Sequence, residues 1–330
     1  MFNLVDIFLI ITYSDDNRAP HTSPRSRVKC PTGGRFMEII DMSVKEPIVF
    51  EDQVEKLREH GCIVADDASS IEFLKSVNYY RFSAYFLPFR DELREDKRYI
   101  AGTTFEQVKG IYEFDKKLRA ILFEAIEEIE IRIRTAVAYY HAHKHGALGY
   151  LDETTFNDKH QHSRFLEQFE SEKEHNAKAL FVRHHIANRD GEFPIWVAVE
   201  LFTLGMLSHF VSDLLDDDAN QVARHFNTGR FYLKSWVITL SVLRNICAHY
   251  GRLYYVNFTS TPKIPNKLNF SPTGKLFDQI LMLKLLSPSK AQWNAKILPQ
   301  IAALFENYKN YIVPDHIGFP LNWEDLLRNV

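Results

Sequence analysis

From Phe105 to Val137, apolar side chains recur every three or four residues without a break. They are Phe105, Val108, Ile111, Phe114, Leu118, Ile121, Leu122, Ala125, Ile126, Ile129, Ile133 and Val137. That spacing is the period of an α-helix with one buried stripe, and it conflicts with the alternation of a half-buried strand. Thr103-Thr104-Phe105-Glu106 opens the run and Gly146 closes it. The pattern predicts about 40 residues of helix, as one rod or two nearly continuous ones, and this forms the backbone of the fold.

The rest of the chain agrees. Gly and Pro number only 13 each, too few for a turn-rich β fold. Hydrophobic residues at 45% and aromatics at 13% allow a sizeable core. Phe50 to His60 reads as a helix closed by Gly61, and Asp66-Asp67 offers an N-cap for the next helix, through Val77. An aromatic block, Asn78 to Leu87, ends at Pro88. Residues 150–193 read as a polar insert with a solvated face. Pro194 is expected as the first residue of a helix running through Trp196 to Leu214. Further helices are expected over Leu233–Tyr250, near Phe277–Leu286, over Ala291–Tyr311, and as a last turn after Phe319–Trp323. No period-2 strand and no repeat is evident, so the fold class is all-α.

Residues 1–45 lack hydrophobic periodicity in their polar part and are expected to form a disordered leader before a single all-helical domain over 46–330. Met37 and Met42 are alternative starts within it. Phe2–Thr12 is apolar but short, carries Asp6 and lacks a basic flank, unlike a signal peptide. No stretch approaches the roughly 20 apolar residues of a membrane span. Cys30, Cys62 and Cys247 form no framework, which points to a reduced, cytoplasmic setting. The net charge of −3 excludes broad electrostatic nucleic-acid binding, so any RNA contact must come from a local basic patch.

The helix over Leu233–Tyr250 carries Arg244 and His249, an Arg-x4-His pair with Asn245 beside the arginine. The spacing alone is weak, since roughly one such match is expected by chance. At 100° per residue, Trp236, Leu240, Leu243, Cys247 and Tyr250 fall on one core stripe. Ser241, Asn245, His249 and Arg252 fall on a second, polar one, with Arg244 between the two. The bland reading is a helix end whose cations suit the macrodipole. The chemical reading is RNA cleavage by attack of a 2′-hydroxyl on the adjacent phosphate. Imidazole moves protons near neutral pH, and guanidinium stabilises a charged phosphorane, with no metal or other cofactor required. One motif supplies one imidazole, so a two-fold pair of such helices would supply both acid and base.

Several blocks occur in order: Asn78–Tyr85 with Leu87–Arg90, Tyr112–Arg119, Ile126–Thr135, Trp196–Glu200, Leu243–Arg252 and Gly318–Trp323. In these blocks, over residues 47–325, the chain resembles the Abi-like family of bacterial abortive-infection proteins, the AbiD/AbiF group, which carry a HEPN-type ribonuclease domain. The resemblance implies a HEPN-like helical bundle with flanking helices and a metal-independent endoribonuclease built on Arg244 and His249. It also implies a homodimeric composite site and a role in phage defence. RNA is then the expected substrate, and an antitoxin or small RNA the expected regulator.

Other candidates stand beside these. Glu130 and Arg134 form an i, i+4 pair that is either a surface salt bridge or a pair facing the motif helix. Glu200, on an apolar helix, would need a partner if buried. His141, His143 and His145 lie at metal-ligand spacing, but no carboxylate or cysteine accompanies them at such a spacing. His184-His185 is expected to be solvated, and Tyr79 and Tyr80 would stack bases only if exposed. The rival to an enzyme is a non-catalytic helical module that binds RNA or protein.

Overall fold

Helix α4, Phe105–His145, runs unbroken for 41 residues, about 60 Å at the rise of an α-helix. The Thr104 hydroxyl accepts the Gln107 N–H at 3.1 Å to start it, and Gly146 at φ 81° ends it. Every position of the predicted stripe is buried except Ile121, which is half-buried. The single-rod alternative is the one that forms. The structure is a computed structural model and describes residues 46–91, 96 and 98–330. The expected leader, with Cys30, lies outside the described residues, and Val49–Val330 packs as one unit.

Before α4 come α1 (Phe50–Glu59), α2 (Asp67–Ser76) and α3 (Tyr79–Ser83), the last continuing as a 3-10 turn over Ala84–Phe89. The Asp66 carboxylate accepts the Ser69 N–H at 3.1 Å, as its position before α2 suggested. After α4 come α5 (His162–His175), α6 (Leu180–Asn188), α7 (Ile195–Leu201), α8 (Leu204–Asp213), α9 (Asp216–His225) and α10 (Arg230–Ala248). The chain closes with α11 (Leu276–Leu286), α12 (Lys290–Tyr308) and α13 (Trp323–Asn329). Among the described residues there is no strand, only isolated bridges such as Ile63 with Thr104. The fold is all-α. Helix α4 packs against α7, α9, α10, α11 and α12, and α10 also packs against α8. No helix of the described residues is long and apolar enough to cross a membrane.

Two expectations need correction. The helix expected through Leu214 breaks at Thr203, whose hydroxyl accepts the Met206 N–H at 3.1 Å and caps a new helix, so α7 and α8 are separate. Pro194 is the N-cap of α7 and not its first residue. The polar insert keeps its expected solvated face, with most positions of α5 and α6 exposed, and its other face joins the core. Tyr150, Phe165, Phe169, Val182 and Phe193 are all buried, and Tyr150 packs edge-on against Phe169 and Phe202. His185 stacks on Phe193 at 5.1 Å and is half-buried, so of the adjacent pair His184 alone is exposed.

Candidate active site

Helix α10 stops at Ala248, with His249 as its C-cap at φ −97°. Tyr250 then takes the left-handed conformation, φ 58°. The Gly251 N–H bonds the Ile246 carbonyl at 2.7 Å and the Tyr250 N–H bonds the Cys247 carbonyl at 3.2 Å. These two bonds are a Schellman closure, in which glycine ordinarily fills the left-handed position. Here glycine comes one residue later, for space. A Cβ on Gly251 would lie 2.9 Å from Ile246 Cγ2 and 3.1 Å from the Ile246 carbonyl oxygen. The early stop also removes Tyr250 from the core stripe. Trp236, Leu240, Leu243 and Cys247 are buried, but Tyr250 is 69% exposed.

The chain leaving α10 is clasped by groups that the motif itself gives no hint of. Asp115 and Arg119, on α4, form an ion pair at 2.5 Å and are buried. The Tyr85 hydroxyl donates to Asp115 at 2.6 Å, and the Leu253 N–H donates to the same carboxylate at 3.1 and 3.2 Å. Arg119 also donates to the Gly251 carbonyl at 3.0 Å, and Arg81 donates to the Tyr250 carbonyl. Burial pushes the Asp115 carboxyl above the usual carboxylate range, against the pull of Arg119, Tyr85 and the Leu253 N–H. A signal for this clasp existed in the sequence. Asp115 and Arg119 sit at i, i+4 directly among Ile111, Phe114, Leu118 and Leu122, where a charge must be paired.

Arg244 faces α4. Its Nε lies 3.5 Å from Glu130 Oε2, an ion pair without a hydrogen bond, since the buried Nε–H has no hydrogen-bond partner. Glu130 in turn pairs with Arg134 at 2.6 Å, and Arg134 donates to the Val199 carbonyl in α7. The side chains of Glu130 and Arg134 are 14% and 12% exposed, against 34% for Arg244. The pair therefore faces the motif helix and is not a surface salt bridge. On an ideal helix a five-residue step separates Arg244 from His249 by about 7.5 Å along the axis and about 140° around it. His249 is exposed and Arg244 leans inward.

The other expected site residues divide. Asn245 is half-buried, and its carbonyl accepts the His249 N–H at 3.0 Å. Arg252 is half-buried and close enough to Asp115 to draw its carboxyl downward. Ser241 does not belong to the edge. It is buried, and its hydroxyl donates to the Ile238 carbonyl of its own helix at 2.8 Å. Glu200 is exposed on α7, so burial does not demand a partner for it. In the histidine run, His141 is buried against Phe156 and Phe210, and burial pushes it down to about 4. His145 and Lys144 both engage Asp218, the former at 2.8 Å. Among the described residues no group of three or more His, Cys, Asp or Glu side chains could hold a metal ion.

A family model described as Abi-like protein matches residues 72–255, more than half of the chain. The chain belongs to the Abi-like protein family. The match runs from α2 through the clasp and stops at Tyr255, short of the 47–325 over which the blocks were read. No curated protein and no solved structure matches this Abi-like chain. The matched span holds Tyr85, Asp115, Arg119, Glu130, Arg134, Arg244 and His249 together. In this Abi-like protein an exposed imidazole thus sits on a fixed backbone, one and a half turns from a guanidinium steered by a carboxylate. That set can donate or accept a proton and offer positive charge to an anion.

Proposed function

We propose that this Abi-like protein is an endoribonuclease of an abortive-infection system, working in the cytoplasm as part of phage defence. The observation that carries the reading is the mismatch in exposure at the end of α10. His249 is left open to solvent while its backbone is fixed by the clasp, and Arg244 is held by Glu130. Under this reading His249 moves the proton of the attacking 2′-hydroxyl or of the leaving 5′-oxygen. Arg244 turns its unpaired Nη edge to the phosphate, with Glu130 and Arg134 fixing its angle, and Asn245 orients the arginine or the phosphate. Arg252 adds positive charge. No step calls for a metal or cofactor. The second imidazole comes from a second copy of the chain, in a HEPN-like two-fold arrangement, and an antitoxin or small RNA restrains the activity.

The test is cleavage of single-stranded RNA by purified protein in EDTA, with the fragment ends analysed. The expected result is 2′,3′-cyclic phosphate ends from wild type, and no cleavage by His249→Ala at an unchanged melting temperature. Cleavage that survives in His249→Ala would overturn the assignment. A second reading has its own observation: the Glu130 contact would serve equally to anchor Arg244 in a non-catalytic binding module. Wild type that binds RNA with the same affinity as His249→Ala, and cleaves none, selects that module.

A further inference from the structure

Tyr250 joins two properties that folding alone does not explain. Its backbone is left-handed at φ 58°, a conformation that disfavours a residue with a Cβ and that glycine or asparagine adopts with less strain. Its side chain is 69% exposed and, among the described residues, stacks on no other ring. Burial does not compensate the strain, and backbone preference does not select the residue. Non-glycine residues held in this region gather at functional sites, where the surrounding structure over-determines them.

The surroundings do so here. The Tyr250 N–H closes onto Cys247, its carbonyl accepts from Arg81, and the next carbonyl accepts from Arg119. The ring is therefore presented outward from a rigid backbone, one residue after His249. The fringe is cationic: Arg81, Arg244 and Arg252 gather at this end of α10 around the buried Arg119–Asp115 pair, with Glu130 against Arg244. This is a local basic patch in a chain of net charge −3. The α3 helix that supplies Arg81 also brings Tyr80, 61% exposed, to the same end.

We infer that Tyr250 is a base-stacking platform, which takes the face of an unpaired nucleobase in RNA whose adjoining phosphate lies at His249. The inference rests on the ribonuclease reading and narrows its substrate class. Stacking needs an open π-face, and a base inside a duplex has none to offer, so the site accepts single strands or loops. An aromatic ring stacks on any base, so the platform selects strandedness more than sequence.

The test uses the full chain carrying His249→Ala, so that RNA is bound but not cut. The probe is a single-stranded oligoribonucleotide containing 2-aminopurine, whose fluorescence falls on stacking. Binding is read by anisotropy and stacking by the quench. Tyr250→Phe is expected to keep both. Tyr250→Ala and Tyr250→Gly are expected to lose the quench and bind roughly tenfold more weakly or worse. Tyr250→Gly should melt no lower than its parent, because glycine relieves the left-handed strain. If the parent binds RNA and Tyr250→Ala binds it equally well, the platform is overturned while the ribonuclease reading stands. If the parent binds no RNA, both fall. If Tyr250→Ala weakens binding only by turning a dimer into a monomer in sedimentation, Tyr250 is a contact between copies and the platform is overturned.

Discussion

Two carboxylates of α4 reach the two ends of the motif, and they differ in what removing them should do. Asp115 is fully buried with Arg119, so Asp115→Asn strands a guanidinium in the core. Such a loss typically costs about 3–5 kcal/mol, and urea unfolding should show it directly. Glu130 lies nearer the surface, and glutamine keeps an acceptor for Arg134. Glu130→Gln should therefore cost only about 1 kcal/mol of stability. It frees Arg244, however, so the rate of RNA cleavage should fall well beyond what that stability loss explains. Full cleavage by Glu130→Gln would show that the carboxylate does not aim the arginine. The sequence does not distinguish these pairs. Both are acid–arginine pairs at i, i+4, and spacing says nothing of burial. Position in the stripe does not separate them either: Asp115 stands between Ile111 and Leu118 as Glu130 stands between Ile126 and Ile133, so only the elements packed over each decide its burial.

The end of α10 shows what a helix boundary decides. Amphipathic period located the helix and the glycine located its stop, yet the projected stripe assumed regular turns to Tyr250. The real helix ends at Ala248, which places His249 at the cap and turns Tyr250 outward. Ser241 falls on a polar edge only if its hydroxyl needs solvent, and that hydroxyl has a partner in the preceding turn. The joint of α7 and α8 was hidden for a similar reason. Both halves are apolar, and only the Thr203 cap divides them. Gly251→Ala tests the closure. The added Cβ meets Ile246 side chain and backbone, so the turn must shift, and with it the Gly251 carbonyl bound by Arg119. The expected outcome is a loss of about 1–3 kcal/mol in thermal or urea unfolding, with a larger relative loss of cleavage because His249 moves with the turn. An unchanged melting temperature would mean that the contact with Ile246 relaxes freely.

At the scale of the whole molecule, α4 was legible because one element carries so much of the core, and the all-α fold follows from surrounding it. The histidines at its far end were not. His-Ala-His-Lys-His is equally a ligand run and a basic helix terminus until the partners are known, and those come from residues 156–218. They bury His141 against Phe156 and Phe210 and set Asp218 beside Lys144 and His145. A buried, neutral histidine makes the whole fold sensitive to acid. Burial depresses His141 from 6.5 to about 4, so the unfolded chain takes up its proton first as pH falls. The stability it protects is complete above pH 6.5 and is lost progressively between 6.5 and about 4. At 1.36 kcal/mol per unit, the loss from this group is about 3 kcal/mol. Burial also lowers His60, His225 and His316, so they act in the same direction and steepen the wild-type curve. The difference between wild type and His141→Leu isolates the one residue. Urea midpoints measured from pH 7 down to 4.5 should fall more steeply in wild type, and the two curves should converge toward the acid end. Parallel curves would place the acid sensitivity elsewhere in the fold.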